Sequence, residues 1–114
     1  MDTLALAREL VNVLESKKGE DILLLDLRNI APFTDFFILC TGTSDRMIQA
    51  LADAAVEWMD KSHDYKGRIE GEGIDGWILV DFGDVILHVF APEKRAYYNL
   101  EELWSAGKVL LRLQ

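Results

Sequence analysis

The sequence predicts an α+β fold, in which helices pack on one mixed β-sheet. Two observations predict this class. Apolar residues recur at helical spacing over residues 3–18 and again from residue 45 to about residue 62. Residues 21–27 and 36–41 are short aliphatic runs, and residues 77–90 are two apolar runs around a D-F-G-D break, as expected of strands. At 114 residues, the chain has the length of one domain with a single core.

The two long helices have recognisable ends. In the first, Leu6 and Leu10 lie on one face, and Gly19 follows two lysines at a typical C-terminal end. The second helix is predicted to begin after an N-cap at Ser44 or Asp45. Its apolar face is formed by Ile48, Leu51, Ala52, Ala55 and Met59.

The remaining segments give weaker signals. Residues 66–76 are glycine-rich and are predicted to be a mobile loop or a short edge strand. Asn99 with Glu102 three residues later resembles a capping box, which predicts a short last helix. We divide the chain into one domain over residues 1–104 and a tail over residues 105–114, which extends that helix or packs on a partner.

Residues 77–90 are predicted to form a β-hairpin with a two-residue loop at Phe82 and Gly83. This register places Trp77 opposite His88. Side chains alternate between the two faces of a hairpin. One face then collects the branched aliphatic residues Ile78, Val80, Val85, Leu87 and Val89. The other face collects Trp77, Leu79, Ile86, His88 and Phe90, with Asp81 opposite Asp84 at the turn.

The mixed face of this hairpin has two interpretations. Aromatic side chains with polar tips are enriched at protein interfaces, which favours partner binding through Trp77 and His88. Alternatively, both side chains pack beneath a loop or the last helix.

A basic and aromatic cluster follows the hairpin directly. Lys94, Arg95, Tyr97 and Tyr98 combine apolar bodies with polar tips, and tyrosine and arginine are common interface anchors. We expect a partner-binding role for this cluster, and the alternative is a solvated turn with one tyrosine packed inward.

Composition limits the function classes. The formal net charge of −8 and the pI of about 4.6 disfavour direct binding to phosphate backbones, although a basic protein partner fits. Cys40 is the single cysteine, so no intrachain disulfide forms. The chain has no run of about 18 apolar residues, which excludes a membrane helix, and no secretory signal pattern. A cytoplasmic protein is therefore expected.

No motif supports catalysis. The D-F-G triplet at 81–83 lacks the other kinase motifs and is better explained as a turn. The T-G-T-S segment at 41–44 can present amides to a phosphate, but the D-x-D pair that would hold magnesium is missing. His63 and His88 have no zinc-binding spacing. We therefore expect no metal, no cofactor and no enzymatic activity.

Three blocks of the sequence resemble a known family. TDFFILCTGTS (34–44), WILVDFGDVILHVF (77–90) and RAYYNLEELW (95–104) are similar to the signature blocks of the ribosomal silencing factor family, also called Iojap-like. The resemblance runs from the first helix to Trp104. It implies a nucleotidyltransferase-like fold without the catalytic carboxylates.

The resemblance also implies a function. Members of the family bind protein number fourteen on the intersubunit face of the large ribosomal subunit and block joining of the small subunit, which represses translation when nutrients are scarce. Trp77 and Tyr98 match family positions associated with partner contact. Lys94, Arg95 and His88 are added from the charge and hairpin arguments above. A bacterial, cytoplasmic protein is implied, without direct recognition of ribosomal RNA.

Two rival functions follow from the residues. The first is a nucleotide-binding protein or nucleotidyltransferase-like enzyme that uses Gly42, Thr43 and Ser44. The second is a self-associating structural protein, in which the Trp77 face forms a homodimer; such a dimer could also store the protein with its ribosome-binding face hidden.

Overall fold

The computed structural model describes residues 2–114, and it confirms the predicted α+β class. Two long helices, two short helices and six strands are present in the described residues. In chain order they are α1 (Thr3–Ser16), β1 (Glu20–Asp26), β2 (Phe36–Thr41), α2 (Asp45–His63), β3 (Arg68–Glu70), a 3-10 turn (Gly73–Asp75), β4 (Trp77–Asp81), β5 (Val85–Phe90), α3 (Pro92–Tyr98), α4 (Leu100–Leu103) and β6 (Lys108–Leu113).

The six strands form one mixed sheet in the order β3-β4-β5-β2-β1-β6. Strands β2 and β5 are parallel, and the other neighbouring pairs are antiparallel. Because β2 and β5 lie at the centre of the sheet, every residue in both strands is buried. Burial on both faces explains why these strands are nearly continuous apolar runs in the sequence.

Helices α1 and α2 cover one face of the sheet and build the larger core with it. The predicted N-cap at Ser44 is confirmed, since its hydroxyl accepts a hydrogen bond from the backbone N–H of Met47. The predicted apolar face of α2 is also buried. Full burial of each large aliphatic side chain in this core contributes about 2 kcal/mol to the free energy of folding.

The opposite face of the sheet carries a second, smaller apolar cluster, over which only short elements pack. Its buried members are Leu23, Leu25, Leu27, Ala31, Phe37, Leu39, Ile86 and Phe90. Trp77, Leu79, Leu100 and Trp104 pack against them and are partly exposed. The predicted division of residues 77–90 between the two faces is confirmed, because the branched aliphatic set lies in the larger core and the mixed set lies here.

The predicted register of the β4–β5 hairpin is wrong by two residues. Trp77 pairs with Phe90 and not with His88, whose actual partner is Leu79. The backbone N–H of Phe82 bonds to the carbonyl of Val85, so the two-residue loop is formed by Gly83 and Asp84. Gly83 has a φ of +85°. The loop therefore begins at the glycine, which adopts this left-handed conformation at low cost.

The turn aspartates are consequently not opposite each other. Asp81 pairs with Ile86 in β5 and with Arg68 in β3. Its carboxylate accepts hydrogen bonds from Arg68 at 3.1 Å and from the backbone N–H of Gly83 at 2.7 Å. These contacts pair Asp81 with a cationic side chain and fix the start of the turn.

The chain after β5 differs from the prediction in three places. The Lys94–Tyr98 cluster lies in a helix, α3, whereas the alternative interpretation places it in a solvated turn. Asn99 precedes α4 with a φ of +45°, but its side chain caps no backbone group and instead bonds to the Glu102 carboxylate, so the predicted capping box is absent. The segment Lys108–Leu113 does not extend the helix, which is one of the two predicted alternatives, because it forms β6 beside β1.

In the described part of the chain, none of the helices is long and apolar enough to cross a membrane.

Candidate partner-binding surface

The mixed face of the β4–β5 hairpin brings Trp77 and His88 together, although not as a directly opposed pair. The indole Nε1–H of Trp77 donates a hydrogen bond of 3.2 Å to Nδ1 of His88. Trp77 also stacks on Phe90, its cross-strand neighbour, at a centroid distance of 4.8 Å. Trp77 is therefore held in one orientation by an adjacent ring and by a hydrogen bond.

His88 lies below this surface. It is 3% exposed, and burial lowers the pKa of its imidazole from 6.5 to about 4. Because Nδ1 accepts the bond from Trp77, the neutral ring carries its proton on Nε2, which is buried and has no hydrogen-bond partner among the described residues. Of the two interpretations drawn from the sequence, His88 fits the one in which it packs beneath other elements.

The rings on this face are in sequential contact and form what we call the aromatic row. It consists of Tyr97, Tyr98, Trp77, His88, Phe37, Trp104 and Phe33, in that order, and each ring centroid lies 4.6–5.9 Å from the next. The ends of the row are exposed, since Tyr97 is 80% and Phe33 54% accessible to solvent. An exposed set of aromatic side chains fixed by a buried centre is typical of a binding surface.

Helix α3 supplies one end of the aromatic row. Tyr98 lies over Trp77, with ring centroids 4.7 Å apart, and Tyr97 contacts Tyr98 edge to face. Lys94 is exposed on the same helix. Its side chain passes close to Gly76, the residue before β4: a Cβ atom added to this glycine would lie 3.0 Å from the lysine Cγ. The structure thus brings Trp77, Tyr98 and Lys94 into one region.

Arg95 lies apart from these three residues and points into the protein. It is 7% exposed, and its Nη1 donates to the backbone carbonyl of Asp21 at 2.6 Å and to the Thr41 hydroxyl at 2.8 Å. Its Nη2 lies 3.4 Å from a carboxylate oxygen of Glu101. The guanidinium therefore joins α3 to the ends of β1 and β2 and is not free to contact another molecule directly.

Sequence reasoning did not single out the other end of the aromatic row. Phe33 and Trp104 are in edge-to-face contact at 5.7 Å, and both lie against Phe37. Leu103, beside Trp104, is 70% exposed. Phe37 lies in β2, whose continuous apolar run does not distinguish the two faces of the sheet. Phe33 lies in an irregular segment, so no periodicity indicates its direction.

Several polar groups of the T-G-T-S segment are engaged within the protein. The backbone N–H of Gly42 bonds to the carbonyl of Phe90, and Ser44 caps α2. A Cβ atom at Gly42 would lie 2.8 Å from the Ile48 side chain, so the glycine is required by the close approach of α2. Among the described residues, no group of three or more His, Cys, Asp or Glu side chains could hold a metal ion.

The fold and the aromatic row define a class of small α+β domain with a fixed, partly exposed aromatic surface. The chain belongs to the ribosomal silencing factor family, since residues 1–112 match the family described as "Ribosomal silencing factor during starvation". The resemblance found in the sequence is confirmed, and the function of the protein lies in translation regulation.

Named relatives agree with this assignment. A ribosomal silencing factor from Bacillus subtilis (strain 168) is 42% identical over 91 residues, which are 80% of this chain and 77% of that protein. A ribosomal silencing factor from Haemophilus influenzae is 37% identical over 102 residues, covering 90% of this chain and all of that protein. The chloroplastic protein Iojap of Arabidopsis thaliana is 33% identical over 91% of this chain, which matches 43% of that longer protein.

A solved structure has the same fold. The crystal structure of a protein from Chromobacterium violaceum superimposes with a TM-score of 0.87 at 33% sequence identity, covering 92% of this chain and 88% of that chain.

Proposed function

We propose that this protein binds the large ribosomal subunit through the subunit's protein number fourteen and thereby prevents the small subunit from joining. Translation is then repressed during nutrient limitation or stationary phase. The observation that carries the proposal is the aromatic row in a member of the ribosomal silencing factor family. The proposed place of action is the cytoplasm.

The chemistry of the surface supports a protein partner. Trp77 and Tyr98 offer rigid apolar area with polar tips, which is the composition of interface anchors. Glu93 and Glu102 are exposed on α3 and α4, close in sequence to the tyrosines. With a formal net charge of −8, the protein is attracted to basic ribosomal proteins and repelled by bare RNA phosphates.

The five residues proposed from the sequence have two kinds of role in this binding. Trp77, Tyr98 and Lys94 contact the partner directly, because their side chains are exposed or half-buried. His88 and Arg95 act from within the fold. His88 orients the Trp77 indole through their hydrogen bond, and Arg95 holds the helix that carries Tyr98.

The proposed mechanism is steric and requires no cofactor. A domain bound to the intersubunit face occupies the space that the small subunit needs, so no covalent step is involved. This proposal differs from the nucleotide-binding alternative because it predicts that the aromatic row, and not the Gly42–Ser44 turn, determines activity.

Co-sedimentation tests the proposed function. The purified protein is centrifuged with separated large subunits, separated small subunits and intact ribosomes, and subunit joining is then measured with and without the protein. Binding to the large subunit, together with loss of joining, is the expected result. Binding to neither separated subunit would overturn the proposal.

Self-association through the aromatic row would compete with ribosome binding. We include a homodimer as a stored form in which Trp77 and Tyr98 are covered by a second copy. Hydrodynamic size as a function of protein concentration tests this part, and a Tyr98→Ala variant should remain monomeric at concentrations where the native protein associates. Monomers of both proteins at every concentration would remove the homodimer from the proposal.

A further inference from the structure

Arg95 is the one buried side chain among the seven residues of helix α3, Pro92–Tyr98. The other side chains of the helix are exposed, although Tyr98 packs over Trp77. The buried guanidinium of Arg95 joins the helix to the rest of the protein through its contacts with Asp21, Thr41 and Glu101.

The same contacts continue to the C-terminal strand. Arg112, in β6, donates two parallel hydrogen bonds of 3.0 Å to the carboxylate of Asp21, and its Nη2 lies 3.9 Å from Glu101. The Asp21 carboxylate also lies 3.7 Å from Nη2 of Arg95. Two arginines and two carboxylates thus form a charge-balanced network, here called the arginine network, that joins α3, α4, β1 and β6.

Asp21 occupies a strained position in this network. Its φ is +44°, a left-handed conformation that is uncommon for a residue with a side chain. The register of β1 against β2 shifts between Glu20 and Leu23, so Asp21 lies at an irregularity of the strand. There its carbonyl points to Arg95 and its carboxylate to Arg112. Such local strain persists only where surrounding contacts maintain it.

We propose that the arginine network makes Arg112 and strand β6 positioning elements for the partner-binding helix α3. Arg112 holds the Asp21 carboxylate in place, Asp21 and Glu101 hold Arg95, and Arg95 sets the position of Tyr97 and Tyr98. The C-terminal strand thereby influences partner binding without touching the partner. This inference rests on the proposed function for its binding consequence, but its structural consequence for α3 can be measured separately.

The test compares Arg112→Ala with Lys108→Ala. Both substitutions remove one positive charge from β6, but Lys108 lies at the other end of the strand, opposite Asp26, and takes no part in the arginine network. Hydrogen exchange of the backbone amides is measured by mass spectrometry in the free proteins, and the dissociation constant for purified large subunits is measured in parallel.

Arg112→Ala should increase exchange in residues 92–98 while leaving α2 protected, and it should weaken large-subunit binding about fivefold, a typical size for coupling through a contact network. Glu101→Gln, which neutralises a carboxylate shared by both arginines, should act in the same direction. Lys108→Ala should leave both measurements at native values.

Three results would overturn the inference. One is unchanged exchange in α3 for Arg112→Ala; another is equal effects of Arg112→Ala and Lys108→Ala. The third is increased exchange throughout the protein, which would mean that Arg112 has only a general stabilising role. If the native protein fails to bind large subunits, the proposed function fails, and the exchange measurement still decides whether the arginine network positions α3.

Discussion

The side chains of Trp77 and His88 are joined by a hydrogen bond, with the indole Nε1 of Trp77 3.2 Å from Nδ1 of His88. The half-buried indole faces the surface, and the imidazole lies beneath it, 3% exposed. Because Nδ1 accepts this bond only when it is unprotonated, the orientation of a proposed contact residue depends on the charge state of a buried one.

The first prediction concerns pH. The pKa of His88 is lowered from 6.5 to about 4 in the folded protein, so the unfolded chain binds more protons than the folded chain between these values. The free energy of unfolding should therefore fall as the pH drops below 6.5, with a loss of about 3 kcal/mol from this group by pH 4. Urea unfolding at a series of pH values between 7 and 4, spaced about half a unit apart, measures the slope.

The control for this prediction is the second histidine, His63, which is half-buried at the end of α2. His88→Gln should flatten the pH dependence of stability over this range, and His63→Gln should retain most of it. Equal slopes for the native protein and His88→Gln would contradict the assignment of the effect to His88.

The second prediction concerns the aromatic row. Tyr98→Ala should weaken binding to large subunits by about 2 kcal/mol, or roughly 30-fold, because it removes an anchor. Tyr65→Ala is a matched control, since Tyr65 is 45% exposed against 43% for Tyr98 but lies beyond the C-terminal end of α2. The melting temperatures of both variants should stay close to the native value.

Trp77→Phe separates two contributions of the indole. Phenylalanine keeps a ring next to Phe90 and Tyr98 but cannot donate to His88, so the variant should fold, lose stability by about 1 kcal/mol and bind more weakly. Dissociation constants and urea unfolding are measured on the same samples. Native affinity in both Trp77→Phe and Tyr98→Ala would show that the interface lies elsewhere on the protein.

The extent to which the sequence determined this structure differs between elements. The faces of β4 and β5 were predicted correctly despite the wrong register, because a shift of two residues preserves an alternation of period two. The long helices were found because their apolar faces repeat several times. Within residues 77–90, therefore, the sequence predicts which face of the sheet a side chain lies on more reliably than it predicts which residues pair across the two strands.

Other features depend on contacts between distant parts of the chain. Arginine is usually exposed, and the burial of Arg95 is explained by its hydrogen bonds to the carbonyl of Asp21, 74 positions earlier, and to the hydroxyl of Thr41, 54 positions earlier. Strand β6 pairs with β1 from the far end of the chain, and its six residues are too few to distinguish a strand from a helical extension. Local periodicity contains no information about either contact.

The third prediction concerns two glycines with positive φ. Gly71 and Gly83 have φ values of +94° and +85°, so alanine should be strained at both and cost about 1 kcal/mol. At Gly71, the added Cβ would also lie 2.5 Å from the carbonyl oxygen of Trp77, whereas at Gly83 its nearest contact is the Tyr65 hydroxyl at 3.2 Å.

Gly71→Ala should therefore be the more destabilising of the two substitutions, and it alone should weaken large-subunit binding, because the displaced backbone carries Trp77. Urea unfolding and binding are compared for the two variants. Equal losses of stability with native binding in both would contradict the idea that the Gly71 contact maintains the position of Trp77.

The fourth prediction concerns the turn before α2, where the nucleotide-binding alternative would place its ligand. Ser44 accepts a hydrogen bond from the backbone N–H of Met47, and Gly42 donates its own N–H to Phe90, so these groups already stabilise the fold. Ser44→Ala should lower the free energy of unfolding by about 1 kcal/mol through loss of the cap, while Ser44→Asp should retain most of it. Neither substitution should change binding to large subunits.

Magnesium with ATP or GTP should leave the native melting temperature unchanged, because only a ligand that binds the folded state raises it. A nucleotide-dependent rise that Ser44→Ala abolishes, but Tyr98→Ala does not, would instead support a nucleotide site at this turn.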